Sequence, residues 1–290
     1  MTSALSIRGV WAASVTPLTA SLDVDHPRFA AHVRWLLDRG CDGVCVFGST
    51  GEANSFSVDE RVAALDALLE TGIPAQRLIV GAGACAYPDA RVLAEHAAAA
   101  GCAAVLVTPP FYYKNVSADG IFSFLDRLGP VRIVLYHYPR LVGVGYEESL
   151  VERLYGRLDI AGIKDSSGDL DRMRRLAGGS PGLSVLAGNE SLLLDLLESG
   201  GAGCLTASAN LTSALAARVM ETRDAALQEQ LSAVRAALQS APFVPGLKQV
   251  LADHFGDPAW LHIRPPLEPL AAGSARDFLA GLPALPNLGA

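Results

Sequence analysis

One pattern repeats along most of this chain: a short apolar run rich in β-branched residues, a turn, and then an alanine- and leucine-rich stretch with helical period. Strands that alternate with helices form parallel sheets, because each helix carries the chain back to the edge where the next strand starts. The strand candidates are apolar throughout, which is typical of a sheet covered on both faces. Eight such units predict an α/β fold closed into a (β/α)₈ TIM barrel, with an open doubly wound sheet as the alternative.

The eight strand candidates span 9–18, 43–48, 77–83, 103–110, 131–139, 160–167, 183–188 and 201–208. Ser57 and Glu60 match a capping box at the start of a helix. Glycines stand where four helices should end, at Gly40, Gly72, Gly101 and Gly200. Two more helical stretches, a proline-rich segment and a short last helix follow the eighth unit. We therefore predict a catalytic barrel over 1–222 and a C-terminal helical appendage over 223–290, packed on the barrel as one structural unit.

Charge and cysteine usage exclude several classes of protein. The 290 residues carry 23 Lys and Arg against 30 Asp and Glu, a net charge of −7, and show no basic run, so we expect no nucleic-acid or membrane partner. The five cysteines are scattered without a C-x-x-C pair, and the N-terminus lacks the features of a signal peptide, which favours a cytoplasmic setting. The six histidines show no metal-binding spacing, so no metal ion is predicted.

Polar residues gather at the carboxyl ends of the predicted strands, where barrel enzymes carry their chemistry. The second strand ends in GSTGE, the fourth in TPPFYYK, the fifth in YHYPR, the sixth in IKDSSGD and the seventh in AGNE. The strands are assigned from apolar runs and turns alone. This clustering of polar residues is therefore an independent indication of a site at one end of a barrel.

Lys164 follows the apolar run 160–163, an unusual place for an ammonium group because burying an unpaired charge is costly. One interpretation is a lysine that extends to solvent and pairs with Asp165 or another carboxylate. The other is a nucleophile that forms an imine with a ketone, since an apolar environment disfavours the charged amine and leaves it able to attack.

Two neighbouring features fit a nucleophilic lysine. Tyr136 ends the adjacent strand, where a phenol can act as the acid and base that imine chemistry needs. The loop that begins at Gly48 offers the hydroxyls of Ser49 and Thr50 and several backbone N–H groups, a cradle for the carboxylate of a keto acid. Each feature also has a structural interpretation, as core packing or as a polar turn. Their joint placement on three strands of one barrel favours chemistry.

The order of these motifs resembles the dihydrodipicolinate synthase and N-acetylneuraminate lyase superfamily of pyruvate-dependent class I aldolases. The similarity runs from about residue 8 to about residue 270 and is carried by GSTGE, VTPPFYYK, LYHYP, GIKDSSGD, AGNE and RPPLEPL. It implies that Lys164 forms an imine with pyruvate or another 2-keto acid and that no other cofactor is needed. It also implies that Tyr136 is the acid–base residue, and that Ser49 and Thr50 contact the carboxylate and a proton relay.

The resemblance further implies an assembly. Tyr112 occupies the position of a tyrosine that completes the relay of a neighbouring subunit. Relatives are usually tetramers built as dimers of dimers, so a homotetramer is expected. Gly188 and Leu205 match positions that line the pyruvate pocket.

Departures from the family pattern leave the second substrate open. Dihydrodipicolinate synthases carry an arginine two residues after the proline of Y-x-x-P, where this chain has Leu141 and places Arg140 one residue earlier. His137 stands where those synthases usually have asparagine. The stretch PRLVG looks more like neuraminate lyases and 2-keto-3-deoxy sugar acid aldolases. Yet GNES keeps only Glu190 of the acidic pair that holds the sugar tail in neuraminate lyases.

The leading interpretation is a Schiff-base lyase that cleaves a 2-keto-3-deoxy sugar acid, or a related 4-hydroxy-2-keto acid, to pyruvate and an aldehyde, or condenses the two. The alternatives are a dehydratase of a 2-keto-3-deoxy sugar acid, 4-hydroxy-tetrahydrodipicolinate synthase itself, and a keto-acid-binding regulator without activity. Substrate hydroxyls are expected to contact side chains at the strand ends, namely Tyr113, Lys114, His137, Arg140, Glu190, Ser191, Thr206 and Ser208.

Overall fold

The computed structural model describes residues 7–285, and within that range the chain forms a closed barrel of eight parallel strands. The strands are β1 Gly9–Ala13, β2 Gly43–Val46, β3 Leu78–Gly81, β4 Ala104–Val107, β5 Ile133–His137, β6 Ile160–Asp165, β7 Ser184–Ala187 and β8 Gly203–Thr206. Each strand pairs with the next, and β8 pairs with β1. All eight predicted strands are confirmed in order, and the open-sheet alternative is wrong. Each strand is shorter than its apolar run, because the run continues into a loop.

The helices alternate with these strands and continue after the last one. They are α1 His26–Asp38, α2 Val58–Glu70, α3 Tyr87–Ala99, α4 Ala118–Asp126, α5 Pro139–Val142, α6 Glu148–Tyr155, α7 Leu170–Gly179, α8 Leu193–Glu198, α9 Ala209–Thr222, α10 Ala225–Leu238, α11 Phe243–Phe255 and α12 Ala272–Ala280. The predicted capping box begins α2: the Ser57 hydroxyl accepts from the Glu60 N–H at 3.2 Å, and the Glu60 carboxylate accepts from the Ser57 N–H at 2.8 Å. The four glycines predicted at helix ends all have positive φ. Within residues 7–285, no helix combines the length and apolar character needed to cross a membrane.

Side chains alternate across every strand except β6 and form two separate cores. The outward side chains, such as Val44 and Val46 on β2, pack against the surrounding helices. The inward side chains, such as Cys45 on β2 and Ile79 on β3, fill the barrel. This alternation decides which strand residues reach the interior.

Strand β6 breaks the alternation. Its pairing with β5 shifts register by one residue, so that Ala161 is an extra residue at a β-bulge. Ile160 and Ile163 therefore both pack toward the helices, and Lys164, the next residue, lies against the interior face. In a regular strand Lys164 would share the outward face of Ile160.

The C-terminal helices pack directly on the barrel. Trp260 and Phe278 belong to the same apolar core as the inward strand residues, and α10 packs against α9. The fully buried Lys248 on α11 forms an ion pair with Glu52, with 2.5 Å between Nζ and Oε1, and the other carboxylate oxygen of Glu52 accepts from the N–H of Arg264 at 3.0 Å. The appendage is thus bonded to the loop after β2. The division at residue 222 stays a prediction.

Candidate active site

A cavity of about 530 Å³ opens at the carboxyl ends of the strands. Its walls come from the loops after β2, β5, β6 and β7 and from the C-terminal segment. A smaller cavity of about 430 Å³ adjoins it and shares the side chains of Ser49, Tyr136, Leu141 and Leu267. The strand-end motifs of the sequence therefore meet at one place. No group of His, Cys, Asp or Glu in residues 7–285 is arranged to hold a metal ion.

Lys164 and Tyr136 face each other from neighbouring strands inside this cavity. The two residues are paired across β5 and β6, and Lys164 Nζ lies 4.1 Å from the centroid of the Tyr136 ring. Each residue is 5 % exposed. No carboxylate within the described range forms a salt bridge with Lys164, and Asp165 instead pairs with Arg172 at 3.0 Å. The structure therefore does not contain the ion pair that a structural interpretation of Lys164 predicts.

Asp165 shapes the turn that follows Lys164. One carboxylate oxygen accepts from the N–H and the hydroxyl of Ser167, at 2.8 and 2.5 Å, and the other accepts from Arg172. The N–H of Gly188 donates to the Asp165 carbonyl at 2.7 Å. A Cβ at Gly188 would stand 1.9 Å from the Ser166 hydroxyl and 2.9 Å from the Asp165 carbonyl. Only glycine fits this close approach of the two loops.

The GSTGE loop after β2 is folded tightly on itself. The N–H groups of Gly51 and Glu52 donate to the carbonyls of Gly48 and Ser49 at 3.0 and 3.2 Å. In the described part of the chain, the N–H groups of Ser49 and Thr50 have no such acceptor, and both residues line the cavity. Fewer groups of this loop are therefore available to a carboxylate than the sequence indicated, namely two N–H groups and two hydroxyls. The carboxylate cradle itself stays a prediction.

The predicted site residues that lie outside the larger cavity include Gly48, Leu205, Tyr112, His137, Glu190 and Thr206. Gly48 lines the smaller adjoining cavity, and Leu205 is buried among the inward side chains of the barrel. Tyr112 is 75 % exposed and packs edge-on against Tyr113, with 5.3 Å between ring centroids. The part assigned to Tyr112 in a neighbouring subunit stays a prediction.

His137 is turned away from the cavity. It follows the inward-facing Tyr136 on β5, so strand alternation directs its side chain to the outer side of the sheet. Its Nδ1 accepts a hydrogen bond from the N–H of Tyr146 at 3.0 Å, which leaves any single proton of the neutral ring on Nε2. Burial lowers the pKa of this imidazole. The structure thus does not place His137 where the sequence predicts it, against a substrate.

Glu190 and Thr206 contact each other instead of lining the cavity. Both are fully buried, and the Thr206 hydroxyl donates to Glu190 Oε2 at 2.5 Å. The same carboxylate oxygen accepts from Arg235 Nη1 at 3.1 Å. The sequence predicts both residues as substrate contacts; in the structure their contacts are with Arg235. Arg140, by contrast, is exposed and lines the cavity, and its contact with a substrate stays a prediction.

Sequence reasoning missed the wall that the C-terminal appendage supplies. The lining residues from that part of the chain are Arg235, Gln239, Ala241, Pro242, Phe243, Val244, Pro245 and Leu267. One signal was available in the helical pattern. Arg235 lies on the apolar face of α10, four residues after Leu231 and three before Leu238, where a charge needs an internal partner.

Comparison with known proteins places the whole fold in one family. Residues 6–283 match the model of the dihydrodipicolinate synthetase family. An uncharacterised DapA-like lyase from Chloroflexus aurantiacus is 33% identical over 261 residues, which cover 84% of this chain and 86% of that protein. The crystal structure of dihydrodipicolinate synthase from Agrobacterium tumefaciens gives a TM-score of 0.88 at 30% identity and covers 94% of this chain and 97% of that one. YagE, a prophage protein of the dihydrodipicolinic acid synthase family from E. coli K12 in complex with pyruvate, gives a TM-score of 0.86 at 26% identity with the same coverage.

Proposed function

This chain belongs to the dihydrodipicolinate synthetase family and is a lyase, and we propose that it cleaves a 4-hydroxy-2-keto acid, such as a 2-keto-3-deoxy sugar acid, to pyruvate and an aldehyde through an imine on Lys164. One observation carries the proposal. The Lys164 amine lies 4.1 Å from the ring of Tyr136 inside an open cavity, and no carboxylate of residues 7–285 forms a salt bridge with it. A lysine held in this way can attack a keto carbon.

In the first step, Lys164 Nζ attacks the C2 keto carbon and the keto oxygen leaves as water. Tyr136 supplies the proton to the departing oxygen. The carboxylate of the keto acid is held by the free N–H groups and hydroxyls of Ser49 and Thr50. Binding the carboxylate in this way orients C2 for the attack.

In the second step, the protonated imine draws electrons from the C3–C4 bond. Tyr136 removes the proton of the C4 hydroxyl, the bond breaks and the aldehyde leaves. The two bonding electrons form the enamine of pyruvate, which takes a proton at C3 and is hydrolysed to pyruvate and free Lys164. In the opposite direction the enamine adds to an aldehyde. Thr50, together with Tyr112 from a second copy in a homotetramer, relays the proton to Tyr136.

Imine formation can be tested directly because the chain contains three lysines, Lys114, Lys164 and Lys248. Incubation with pyruvate and borohydride is expected to add one carboxyethyl group, and peptide mapping to locate it on Lys164. Lys164→Ala should abolish both the adduct and turnover, while Lys114→Ala, in the adjoining cavity, should keep the adduct. Tyr136→Phe should slow turnover by about 10²–10⁴. An adduct on another lysine, or none with any keto acid, would overturn the proposal.

Product analysis separates the lyase from a dehydratase that uses the same imine. A lyase releases pyruvate from a 2-keto-3-deoxy sugar acid, which a coupled assay detects. A dehydratase removes a proton from C3 and expels a hydroxyl, so the keto acid loses water and no pyruvate appears. Release of pyruvate in stoichiometric amount with the aldehyde is the result we expect.

A further inference from the structure

Arg235 extends from α10 to the cavity, and residues on the side facing away from the cavity fix its position. Its side chain is 14 % exposed, and its Cζ lies 4.6 Å from the centroid of the Phe243 ring. Nη1 donates to Glu190 Oε2 at 3.1 Å, to the Thr206 hydroxyl at 3.2 Å and to the Ser208 hydroxyl at 3.2 Å. One edge of the guanidinium is therefore fixed in position by residues at the ends of β7 and β8.

The Nε and Nη2 groups of Arg235 make no hydrogen bond within residues 7–285. Arg235 lines the cavity, and all of its side-chain hydrogen bonds within residues 7–285 go through Nη1. Among the described residues the buried Nε has no partner, and Nη2 keeps its two donors for a bound molecule. A guanidinium presents these donors in a rigid plane that matches a carboxylate.

The charged groups along the cavity all have the same sign. Its lining side chains include Lys164, Arg140 and Arg235 and, among the described residues, no Asp or Glu, although the whole chain carries a net charge of −7. The nearby Glu190 lies behind Arg235 and does not line the cavity. A neutral polyhydroxyl tail would leave these positive charges without a counter-charge, whereas a carboxylate supplies one. Among its described lining residues the cavity thus offers charged donors and no charged acceptor, which fits a substrate with an anionic tail.

We infer that Arg235, together with Arg140, binds a second carboxylate at the far end of the substrate. The inference rests on the proposed lyase function and narrows its substrate to a 4-hydroxy-2-keto dicarboxylate. The C3–C4 bond breaks as described above, and the distal carboxylate keeps all of its bonds and leaves with the aldehyde. Glu190 and Thr206 are positioning residues that aim Arg235 at this carboxylate.

Pairs of aldehydes that differ only in the terminal group test this inference in the condensation direction. With pyruvate as the donor, glyoxylate is compared with glycolaldehyde, and succinic semialdehyde with 4-hydroxybutanal, so that two tail lengths are covered. We expect the carboxylate member of the better-fitting pair to have the higher kcat/KM. Arg235→Met should lower that kcat/KM by about 10–100-fold, mainly through KM. The neutral aldehydes and the borohydride-trapped pyruvate imine should be unaffected.

Two further variants keep the result interpretable. Arg218→Met removes an exposed arginine on α9 that lines neither cavity. This variant should keep the wild-type kcat/KM for both aldehydes of the pair. If Arg235→Met does not fold because Glu190 is left buried without its partner, the double variant Arg235→Met/Glu190→Gln removes both charges and should show the same selective loss. An equal loss for both aldehydes, or no loss for the carboxylate, would overturn the inference in an enzyme that still forms the imine. Failure of the wild-type enzyme to form the imine would overturn the proposed function instead.

Discussion

His32, on α1, is a fully buried histidine whose single proton has a defined place. Its ring stacks on Trp35 and meets Trp260 edge-on. Nε2 lies 2.9 Å from Asn210 Oδ1, a carbonyl oxygen that carries no hydrogen and can only accept, as it also does from the N–H of Val15. Nε2 therefore carries the proton, and burial lowers the pKa of His32 to about 4.

This lowered pKa predicts a specific acid sensitivity. In the unfolded chain His32 takes up a proton below its ordinary pKa of 6.5, whereas the folded protein resists until about 4. The unfolded state binds more protons between these values, so the free energy of unfolding should fall by up to roughly 3 kcal/mol as the pH drops through this window, and should be insensitive to His32 above it. His32→Gln, which keeps a donor toward Asn210, should remove this component. Denaturant titrations at several pH values measure it, and a wild-type-minus-variant difference that stays constant with pH would contradict it.

For the residues at the strand ends, the sequence predicts which ones are candidates for the site but not how each side chain is oriented. Lys164 and Tyr136 stand out in the sequence because polar groups at the end of apolar runs are unusual, and the structure brings them together. The orientation of His137 and Glu190 could not be predicted in the same way. It depends on which face of a strand is inward and, for Glu190, on an arginine 45 positions away that only the folded chain brings near.

At the scale of elements, the pattern of apolar runs in the sequence is enough to predict the eight strands and their order, but it does not predict the bulge in β6. The register shift at Ala161 has no compositional signal, since Ala161 and Gly162 fit an ordinary buried strand equally well. Yet that one residue determines that Lys164, and not Asp165, faces the interior. Strand β6 thus keeps an apolar outer face and still turns its lysine inward.

The ion pair between α11 and the loop after β2 should link the stability of the fold to the position of the loop that carries Ser49 and Thr50. Lys248 and Glu52 are an ion pair with side-chain exposures of 1 and 0 %, and burial lowers the pKa of Lys248 while Glu52 opposes that shift. Lys248→Met should leave Glu52 as an unpaired buried charge and lower the free energy of unfolding by about 3–5 kcal/mol. Because Ser49 and Thr50 belong to the same loop, KM for pyruvate should rise as well.

The double variant Lys248→Met/Glu52→Gln tests whether the loss of stability comes from an unpaired buried charge, since it removes both charges together. It should recover a large part of the lost stability, measured by denaturant unfolding. The control is Arg91→Met, which breaks an ion pair with Glu95 on α3 whose side chains are 51 and 47 % exposed. Because solvent screens this pair, its loss should change the free energy of unfolding far less than the loss of Lys248. Equal losses at the buried and the exposed pair would contradict the prediction.

At the scale of the whole molecule, an aromatic surface remains uncovered on the single chain. Tyr112 and Tyr113 are 75 and 72 % exposed, on the loop that follows β4. Paired aromatic rings at this exposure are typical of surfaces that a protein partner covers. The homotetramer expected from the family resemblance would supply such a partner, and Tyr112 would then reach a site on another copy.

Mixing two inactive variants tests whether Tyr112 acts between chains. If it does, each site combines Lys164 of one chain with Tyr112 of the next. A symmetric pair made from one Lys164→Ala chain and one Tyr112→Phe chain then contains one site with both residues intact and one with neither, so about half of the sites should regain wild-type turnover. Co-expression with two affinity tags isolates the mixed pairs, and the control replaces Tyr112→Phe by Tyr113→Phe, a chain that should be active by itself. If Tyr112 acts within its own chain, no site in the mixture is complete, and turnover stays at the sum of the two separate variants.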